Sequence, residues 1–273
     1  PVFVTNRCFQ SRMLLKPSSR LNQLVVGIIA RALNMYQVKL YGLCFMSNHY
    51  HMLLAPKNAR HLASFMQYVD QNISTEIGRL HHWSRALWNH RYRSSPVLDQ
   101  EALLDRMKYI FANSVKEGLV RHPRYWPGLH CYQALADKRP LTGIWIDRTL
   151  WSQKPKLHIS EVTTRYRLTF NRLPGFEHLN DYQYALQMKE LAKHALSEWP
   201  APEKLMDDLP ILFLIIELSN HQRANNIAKP PVLLNCEVNG VVPLDKFFSH
   251  LQSPKLQAVA KYQKLTSSVL YLL

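Results

Sequence analysis

The chain has 273 residues, 47% of them hydrophobic, so it can bury one large core or two of ordinary size. Its formal charge of +15 favours a polyanion, above all nucleic acid, over a small neutral partner. The four cysteines form no CxxC pair, which argues against a zinc knuckle or a dithiol redox site and suits reduced thiols in the cytoplasm. The longest apolar run, Ile211 to Ile216, is too short to span a bilayer, so no membrane association is expected.

The first half of the chain predicts a βαββαβ succession followed by a further helix. Side-chain alternation with a period of two marks the strands, and apolar residues three and four apart mark the helices. The turn Ser47-Asn48 joins two of the strands into a hairpin. In chain order the predicted elements are a strand over Val2 to Cys8, a helix over Arg20 to Tyr36, strands over Val38 to Met46 and His49 to Ala55, a helix over His61 to Leu80, a strand within His81 to Asp99, and a helix over Gln100 to Leu119 closed by Gly118.

Beyond Val120 the pattern changes, with several prolines and tryptophans and no return of the earlier rhythm. A strand over Tyr166 to Arg172 and a helix over Leu179 to Leu196 are predicted there. We expect a catalytic domain over residues 1–135 and a C-terminal extension, mixed or helical and of unassigned role, over residues 136–273.

Two histidines stand two residues apart in the second strand of the predicted hairpin, as His49-Tyr50-His51. Residues i and i+2 of a strand project from one face, so the two imidazoles lie side by side and can share one metal ion. Tyr50 points to the opposite face, into the packing against a helix. Two half-buried histidines hydrogen-bonded to their neighbours would give the same pattern.

One side of the last predicted helix carries Arg106, Tyr109, Asn113 and Lys116, away from its apolar stripe. Tyr109 lies one turn before Asn113, so a phenol and an amide face the same way. A phenol with a pKa of about 10 is a poor nucleophile until a metal or a cation favours phenolate. Two histidines and the Asn113 oxygen leave positions open for phosphate and water, which suits Mg²⁺ or Mn²⁺. A surface tyrosine on a solvated face is the alternative.

Aromatic and basic residues are mixed between His81 and Asp99. Rings on which bases stack and guanidiniums that pair with phosphates suit a surface that binds single-stranded DNA. A protein interface can have the same composition. Together with the cations of the last helix, the residues expected to contact DNA are Trp83, Arg85, Trp88, Arg91, Arg93, Arg106 and Lys116.

Three stretches resemble the single-tyrosine HUH transposases of the insertion-sequence-200-like family, and in particular their REP-associated tyrosine transposase branch. They are FMSNHYHMLL (Phe45 to Leu54), LWNHRYRSSPV (Leu87 to Val97) and KYIFANSVKEGLV (Lys108 to Val120). The sequence departs from the branch at Ser114-Val115-Lys116, where an Asn-Pro-Val run is common, and in its long tail.

The resemblance implies a ferredoxin-like α+β core with an antiparallel sheet, a divalent metal on His49 and His51 assisted by Asn113, and a nucleophilic Tyr109. It implies a bacterial enzyme of DNA transposition and recombination that acts on hairpin-forming single-stranded DNA. The reaction it implies leaves a 5′-phosphotyrosine link and a free 3′-hydroxyl. Whether the enzyme is a monomer or a homodimer stays open.

Other hypotheses use parts of the same pattern. A domesticated DNA-binding protein would keep the fold and the basic surface without turnover. A replication initiator or relaxase uses the same chemistry but often carries extra tyrosines or a helicase domain. A metal-dependent hydrolase without a covalent step would want carboxylates near the histidines, and no Asp or Glu is close to them in sequence.

Overall fold

A computed structural model describes residues 1–201 of the chain. The predicted features beyond that point, including Ile211 to Ile216 and most of the extension, lie outside the described residues. The strands are β1 (Val2–Arg7), β2 (Lys39–Phe45), β3 (His49–Ala55), β4 (Arg93–Pro96), β5 (Leu141–Ile146) and β6 (Thr163–Leu168). The helices are α1 (Ser19–Tyr36), α2 (Ala59–His81), α3 (Gln100–Lys116), α4 (Tyr132–Leu135), α5 (Arg148–Gln153) and α6 (Asp181–Glu198).

The first four strands form one antiparallel sheet in the order β2-β3-β1-β4. With α1 and α2 as its crossovers, this βαββαβ unit has the ferredoxin-like arrangement. The predicted fold class is therefore confirmed. The hairpin of β2 and β3 closes through a hydrogen bond of 2.8 Å from the Met46 amide to the His49 carbonyl, across the predicted turn.

The sheet is covered on both faces, and the strand period of two decides which residue faces which layer. Tyr50, Met52 and Leu54 of β3 belong to the core formed with α1 and α2. Leu53 belongs to the other core, formed with α3 and α6. The two histidines of β3 alternate with Tyr50 and therefore lie on the α3 face; the prediction that they share the face opposite Tyr50 agrees with this placement.

Helix α3 has defined ends. The Asp99 side chain accepts a hydrogen bond of 2.7 Å from the Ala102 amide at the start of the helix. After Lys116 the chain turns away through Gly118, which has a φ of 70°. Met107 packs against the backbone of β2 at Gly42, where a Cβ would lie 2.7 Å from the methionine sulfur. This close approach fixes α3 on the β2 and β3 side of the sheet.

The two edges of the sheet differ. Along β2, the Phe45 amide bonds to the Leu129 carbonyl and the Cys131 amide to the Leu43 carbonyl, so residues 129–131 cover that edge. Strand β4 forms the opposite edge, and all four of its residues are exposed. Polar residues and a proline on such an edge discourage pairing with another sheet.

A second, two-stranded sheet of β5 and β6 packs on α1. The contact is backbone to backbone, because a Cβ at Gly143 would lie 2.3 Å from the Gln23 carbonyl oxygen and one at Gly27 would lie 2.0 Å from that of Ile144. Strand β5 was not predicted, since its residues lack clear alternation. Strand β6 ends earlier than the predicted Tyr166 to Arg172.

The interval from His81 to Asp99 contains only the short strand β4. Much of the rest is fixed by side-chain hydrogen bonds, such as that of 3.2 Å from the Trp83 indole to the Ala86 carbonyl. No helix among residues 1–201 is long and apolar enough to cross a membrane. The domain division at residue 135 stays a prediction.

Candidate active site

The histidine pair lies on the α3 face of β3, near the centre of the sheet. The rings of His49 and His51 are nearly perpendicular, with centroids 4.9 Å apart. In the β1–β3 register, Arg7 stands opposite His49 and Thr5 stands opposite His51. The predicted side-by-side placement of the imidazoles is therefore present in the structure.

Both imidazoles are neutral at pH 7. Burial, aided by the charges of Arg7 and Lys116, lowers the pKa of His49 to about 4. Burial, followed by the neighbouring His49 and the surrounding cations, lowers the pKa of His51 to about 3. A neutral imidazole keeps a nitrogen lone pair, which is the form that binds a metal ion.

Tyr109 of α3 lies against this pair. Its ring meets that of His51 edge to face, with centroids 5.1 Å apart, and the Lys116 Nζ lies 4.9 Å from the centre of the phenol ring. Phe3 and Trp199 approach the same ring at centroid distances of 6.0 and 6.4 Å. Tyr109 is thus half-buried at the contact between α3 and β3, with its ring next to the histidines and a lysine.

The phenol is held in its protonated form. Burial, and after it the Glu117 carboxylate, raises the pKa of Tyr109 above its usual value. The charge of Arg7 and the Asn113 amide act in the opposite direction; that amide lies near the phenol without forming a hydrogen bond of regular geometry. Attack by this oxygen therefore needs further positive charge at the site.

Several buried polar atoms beside the tyrosine lack hydrogen-bond partners. Both ring nitrogens of His51 and both amide atoms of Asn113 are buried and unpartnered, as is the Ser114 hydroxyl. Such groups are costly to leave unsatisfied, and they often mark a place where an ion or water binds. Asn113 is completely buried because its side of α3 faces the sheet at this point rather than solvent.

The donors at this place fit a divalent cation. Nitrogen from two imidazoles and an amide oxygen form a borderline set that leaves room for phosphate and water ligands. Among residues 1–201 no group of three His, Cys, Asp or Glu side chains could hold a metal. A metal here would therefore depend on the asparagine, or on the DNA, for its remaining ligands.

His130 is a buried residue that helps to position α3 and that sequence reasoning missed. It is fully buried; its Nδ1 accepts from the Tyr132 amide at 3.0 Å, so its Nε2 carries the proton and donates to the Ile110 carbonyl at 3.1 Å. Burial lowers the pKa of this histidine to about 4. The contact connects the segment along β2 to the turn of α3 that follows Tyr109. No local sequence pattern marks it.

The structure divides the predicted DNA-binding residues between the two sides of the sheet. Trp88 donates to the Asp70 carbonyl at 3.0 Å and packs on Tyr50, away from the histidines. The Trp83 ring lies under the Arg12 guanidinium at 5.1 Å. Arg106 reaches over Phe3 at 5.1 Å, beside the site. Arg85 and Arg91 are exposed in the loop, and Arg93 lies on β4.

Tyr50, between the two histidines, is fixed from the other face. Its hydroxyl donates to the Asp70 carboxylate at 2.6 Å, and the Asn6 amide donates to the same carboxylate at 2.9 Å. Burial raises the pKa of Asp70 to about 6 despite these hydrogen bonds. The network connects β1, β3 and α2, so it holds the strand that carries both imidazoles.

The ferredoxin-like sheet thus carries the histidine pair on a central strand, with the tyrosine-bearing helix α3 against it. Residues 10–113 match the family described as "Transposase IS200 like". Over these residues the chain is similar to that family, in agreement with the resemblance that the sequence predicts.

Two solved structures match part of the chain. One is a REP-associated tyrosine transposase bound to a REP hairpin, with 16% identity and a TM-score of 0.43 over 50% of this chain and 78% of that one. The other is a candidate transposase from Deinococcus radiodurans R1, with 15% identity and a TM-score of 0.30 over 40% of this chain and 86% of that one. No curated protein matches the chain.

Proposed function

We propose that this protein nicks and rejoins single-stranded DNA through a covalent 5′-phosphotyrosine intermediate at Tyr109. The observation that carries the proposal is the contact of the Tyr109 ring with His51, at 5.1 Å between centroids, where both imidazole nitrogens are buried without partners. A nucleophile beside an unsatisfied pair of metal-type donors suits phosphoryl transfer better than structural packing.

In the forward step the Tyr109 oxygen attacks the scissile phosphorus in line with the departing 3′ oxygen. The phosphorus–Oη bond forms, the phosphorus–O3′ bond breaks, and the phenolic proton is balanced by the proton gained at the new 3′-hydroxyl. Lys116, 4.9 Å from the ring centre, favours the developing phenolate. Rejoining is the reverse reaction, with a 3′-hydroxyl as the nucleophile.

His49, His51 and Asn113 are the residues that would hold a divalent cation, Mg²⁺ or Mn²⁺. When bound, it would supply Lewis-acid polarisation of the phosphate and additional positive charge beside the phenol. The role of the chain itself is to keep both imidazoles neutral and to direct them from one strand face toward Tyr109.

The substrate class that we propose is single-stranded DNA with hairpin-forming flanks, as for the REP-associated branch. Support comes from the charge of +15 and from exposed arginines beside the site. The REP-associated transposase of known structure is bound to a REP hairpin, which makes such hairpins the first probes to use. We place the reaction in the cytoplasm, in keeping with the reduced thiols.

The test is a gel assay for a covalent protein–DNA adduct, with single-stranded hairpin oligonucleotides from the flanks of the gene, in Mn²⁺ and then in EDTA. We expect an adduct that needs metal and disappears in Tyr109→Phe and His51→Ala. Tyr125→Phe is a matched control, because Tyr125 is 65% exposed and lies outside the site. Binding without any adduct would instead support a domesticated DNA-binding protein.

A further inference from the structure

Within residues 1–201, part of the sheet face that carries the histidines is not covered by a helix. Helix α3 packs on β2 and β3. Beyond them, the residues of β1 and β4 that share this face are increasingly exposed: Thr5 is half-buried, and Arg7, Arg93 and Ser95 are exposed. We call these four residues the open part of the site face.

The strand register places all four on that face. Phe3, on the α3 side, pairs with Ser95, and Thr5 pairs with Arg93 across β1 and β4. Thr5 also pairs with His51, and Arg7 with His49, across β1 and β3. Directly paired residues project from the same side of an antiparallel sheet. A row of side chains therefore runs from the β4 edge to the histidine pair.

Arg7 is the member of this row that stands beside the reacting groups. Its charge acts on His49, His51 and Tyr109 alike, which places the guanidinium near all three. Within residues 1–201 its side chain forms no ion pair and no hydrogen bond to another side chain. An exposed arginine without a carboxylate partner is available for a phosphate.

Arg93 of β4 pairs with Thr5 of β1, and Arg7 lies two residues further along β1. Arg93 and Arg7 are therefore diagonal neighbours on this face. Diagonal neighbours on one sheet face have side chains about 7–8 Å apart. Two guanidiniums at that distance can bind different phosphates of one short stretch of backbone. The Ser95 hydroxyl continues the row, and Arg106, which lies over Phe3, borders it from α3.

From this arrangement we infer that the open part of the site face is the path by which a single DNA strand reaches Tyr109, with Arg7 binding the phosphate next to the scissile one and Arg93 binding a phosphate further from it. The inference rests on the proposed function and adds a path and an unassigned residue, Arg7. Arginines and exposed main-chain groups of the protein bind the DNA backbone rather than its bases. Binding along this path should therefore not depend on the base sequence of the DNA.

The experiment measures binding apart from catalysis. Fluorescein-labelled hairpin oligonucleotides with a single-stranded extension are titrated by anisotropy against Tyr109→Phe and against Tyr109→Phe combined with Arg7→Gln or Arg93→Gln, over a range of salt concentrations. Each lost phosphate contact should reduce the slope of log K against log salt by about 0.7. Arg20→Gln is the matched control, since Arg20 is exposed at the start of α1 on the other side of the sheet.

A scan with one neutral methylphosphonate at a time then locates the contact. We expect a methylphosphonate next to the cleavage site to weaken the binding of the oligonucleotide to the Tyr109→Phe variant. The same modification should have no further effect on binding to the variant that also carries Arg7→Gln. Slopes for Arg7→Gln equal to that of Arg20→Gln would overturn the path while leaving adduct formation by the wild type intact. A wild type that binds these oligonucleotides and forms no adduct would overturn the proposed chemistry but not the path; absence of binding would overturn both.

Discussion

The His51 ring is stacked on Phe3 of the neighbouring strand, at 5.3 Å between centroids and 14° between planes, while its edge-to-face contact with Tyr109 joins the strand to α3. The imidazole is thereby held in one orientation by packing alone, because no hydrogen bond fixes either nitrogen. Most metal-binding histidines are oriented by a hydrogen bond to their second nitrogen. In His51, which we propose as a metal ligand, aromatic packing has that role.

Acid should destabilise the protein through this pair. The folded-state pKa values of about 4 and 3 lie below the unfolded value of 6.5, so the unfolded chain binds more protons and stability falls as pH decreases from about 6.5 toward 4. The expected slope is about 1.4 kcal/mol per pH unit for each histidine. Urea unfolding in EDTA at pH 7 and pH 5 measures it.

The control for that measurement is the double variant His49→Gln, His51→Gln. His130, whose pKa is also lowered, and Asp70, whose raised pKa acts in the opposite sense over pH 4 to 6, are common to both proteins and cancel in the difference. Equal acid sensitivity of the wild type and the double variant would contradict the assignment of neutral, buried imidazoles.

Metal binding should depend on the asparagine of α3. Titration calorimetry with Mn²⁺, without DNA, should give heat with the wild type, much less with Asn113→Ala, and none with His49→Ala combined with His51→Ala. The reason is that Asn113 supplies the only oxygen among the three residues that we assign to the cation, and this oxygen is buried without a hydrogen-bond partner. Asn180→Ala tests specificity, since Asn180 caps α6. Undiminished binding by Asn113→Ala would remove this residue from the metal site.

A methyl group at Gly143 should loosen the β5–β6 sheet from α1. The added Cβ would meet backbone atoms of α1 at 2.3 and 2.4 Å, and backbone cannot rotate away as a side chain can. Overpacking of this kind costs about 1–3 kcal/mol or more. Thermal unfolding of Gly143→Ala should show the loss, whereas the adjacent exposed Thr142→Ala should unfold within about 0.5 kcal/mol of the wild type.

The ion pair of Glu76 and Arg148 should contribute more to the free energy of unfolding than the ion pairs on the surface do. Glu76 is 7% exposed, and Arg148 reaches both of its carboxylate oxygens, at 2.9 and 2.7 Å. Arg148→Met leaves a buried carboxylate with Arg79 as its remaining cation, so the free energy of unfolding should fall by about 3 kcal/mol. Arg172→Met, which removes an exposed pair with Asp181, should cost less than about 1 kcal/mol. Equal losses in urea would show that burial does not set the difference.

Local periodicity was sufficient to predict the parts of the site that lie within one element. The spacing of His49 and His51 defines a shared strand face, and the turn between Tyr109 and Asn113 defines a shared helix side. Arg7 could not be found this way, because β1 and β3 are not consecutive in the chain and their register is decided by packing.

The loop before β4 shows the same limit. Its composition suggested one aromatic and basic surface, yet Trp88 packs on Tyr50 on the far side of the sheet while Arg93 lies on the near side. In a segment without regular structure, the residue types do not indicate which side of the sheet each side chain faces. The burial of Asn113 likewise depends on where α3 crosses the sheet, which helical spacing does not determine.

The facing glycines of α1 and β5 also restrict which chimeric proteins could be made from this chain and related ones. Because Gly27 has no side chain, the backbone of β5 can approach α1 closely at this point. Gly143 allows the same approach from the side of β5. A chimera that keeps α1 of this chain but replaces β5 would leave the space beside Gly27 empty unless the new segment brings a glycine to the same level. Helix α1 and strand β5 should therefore be exchanged together.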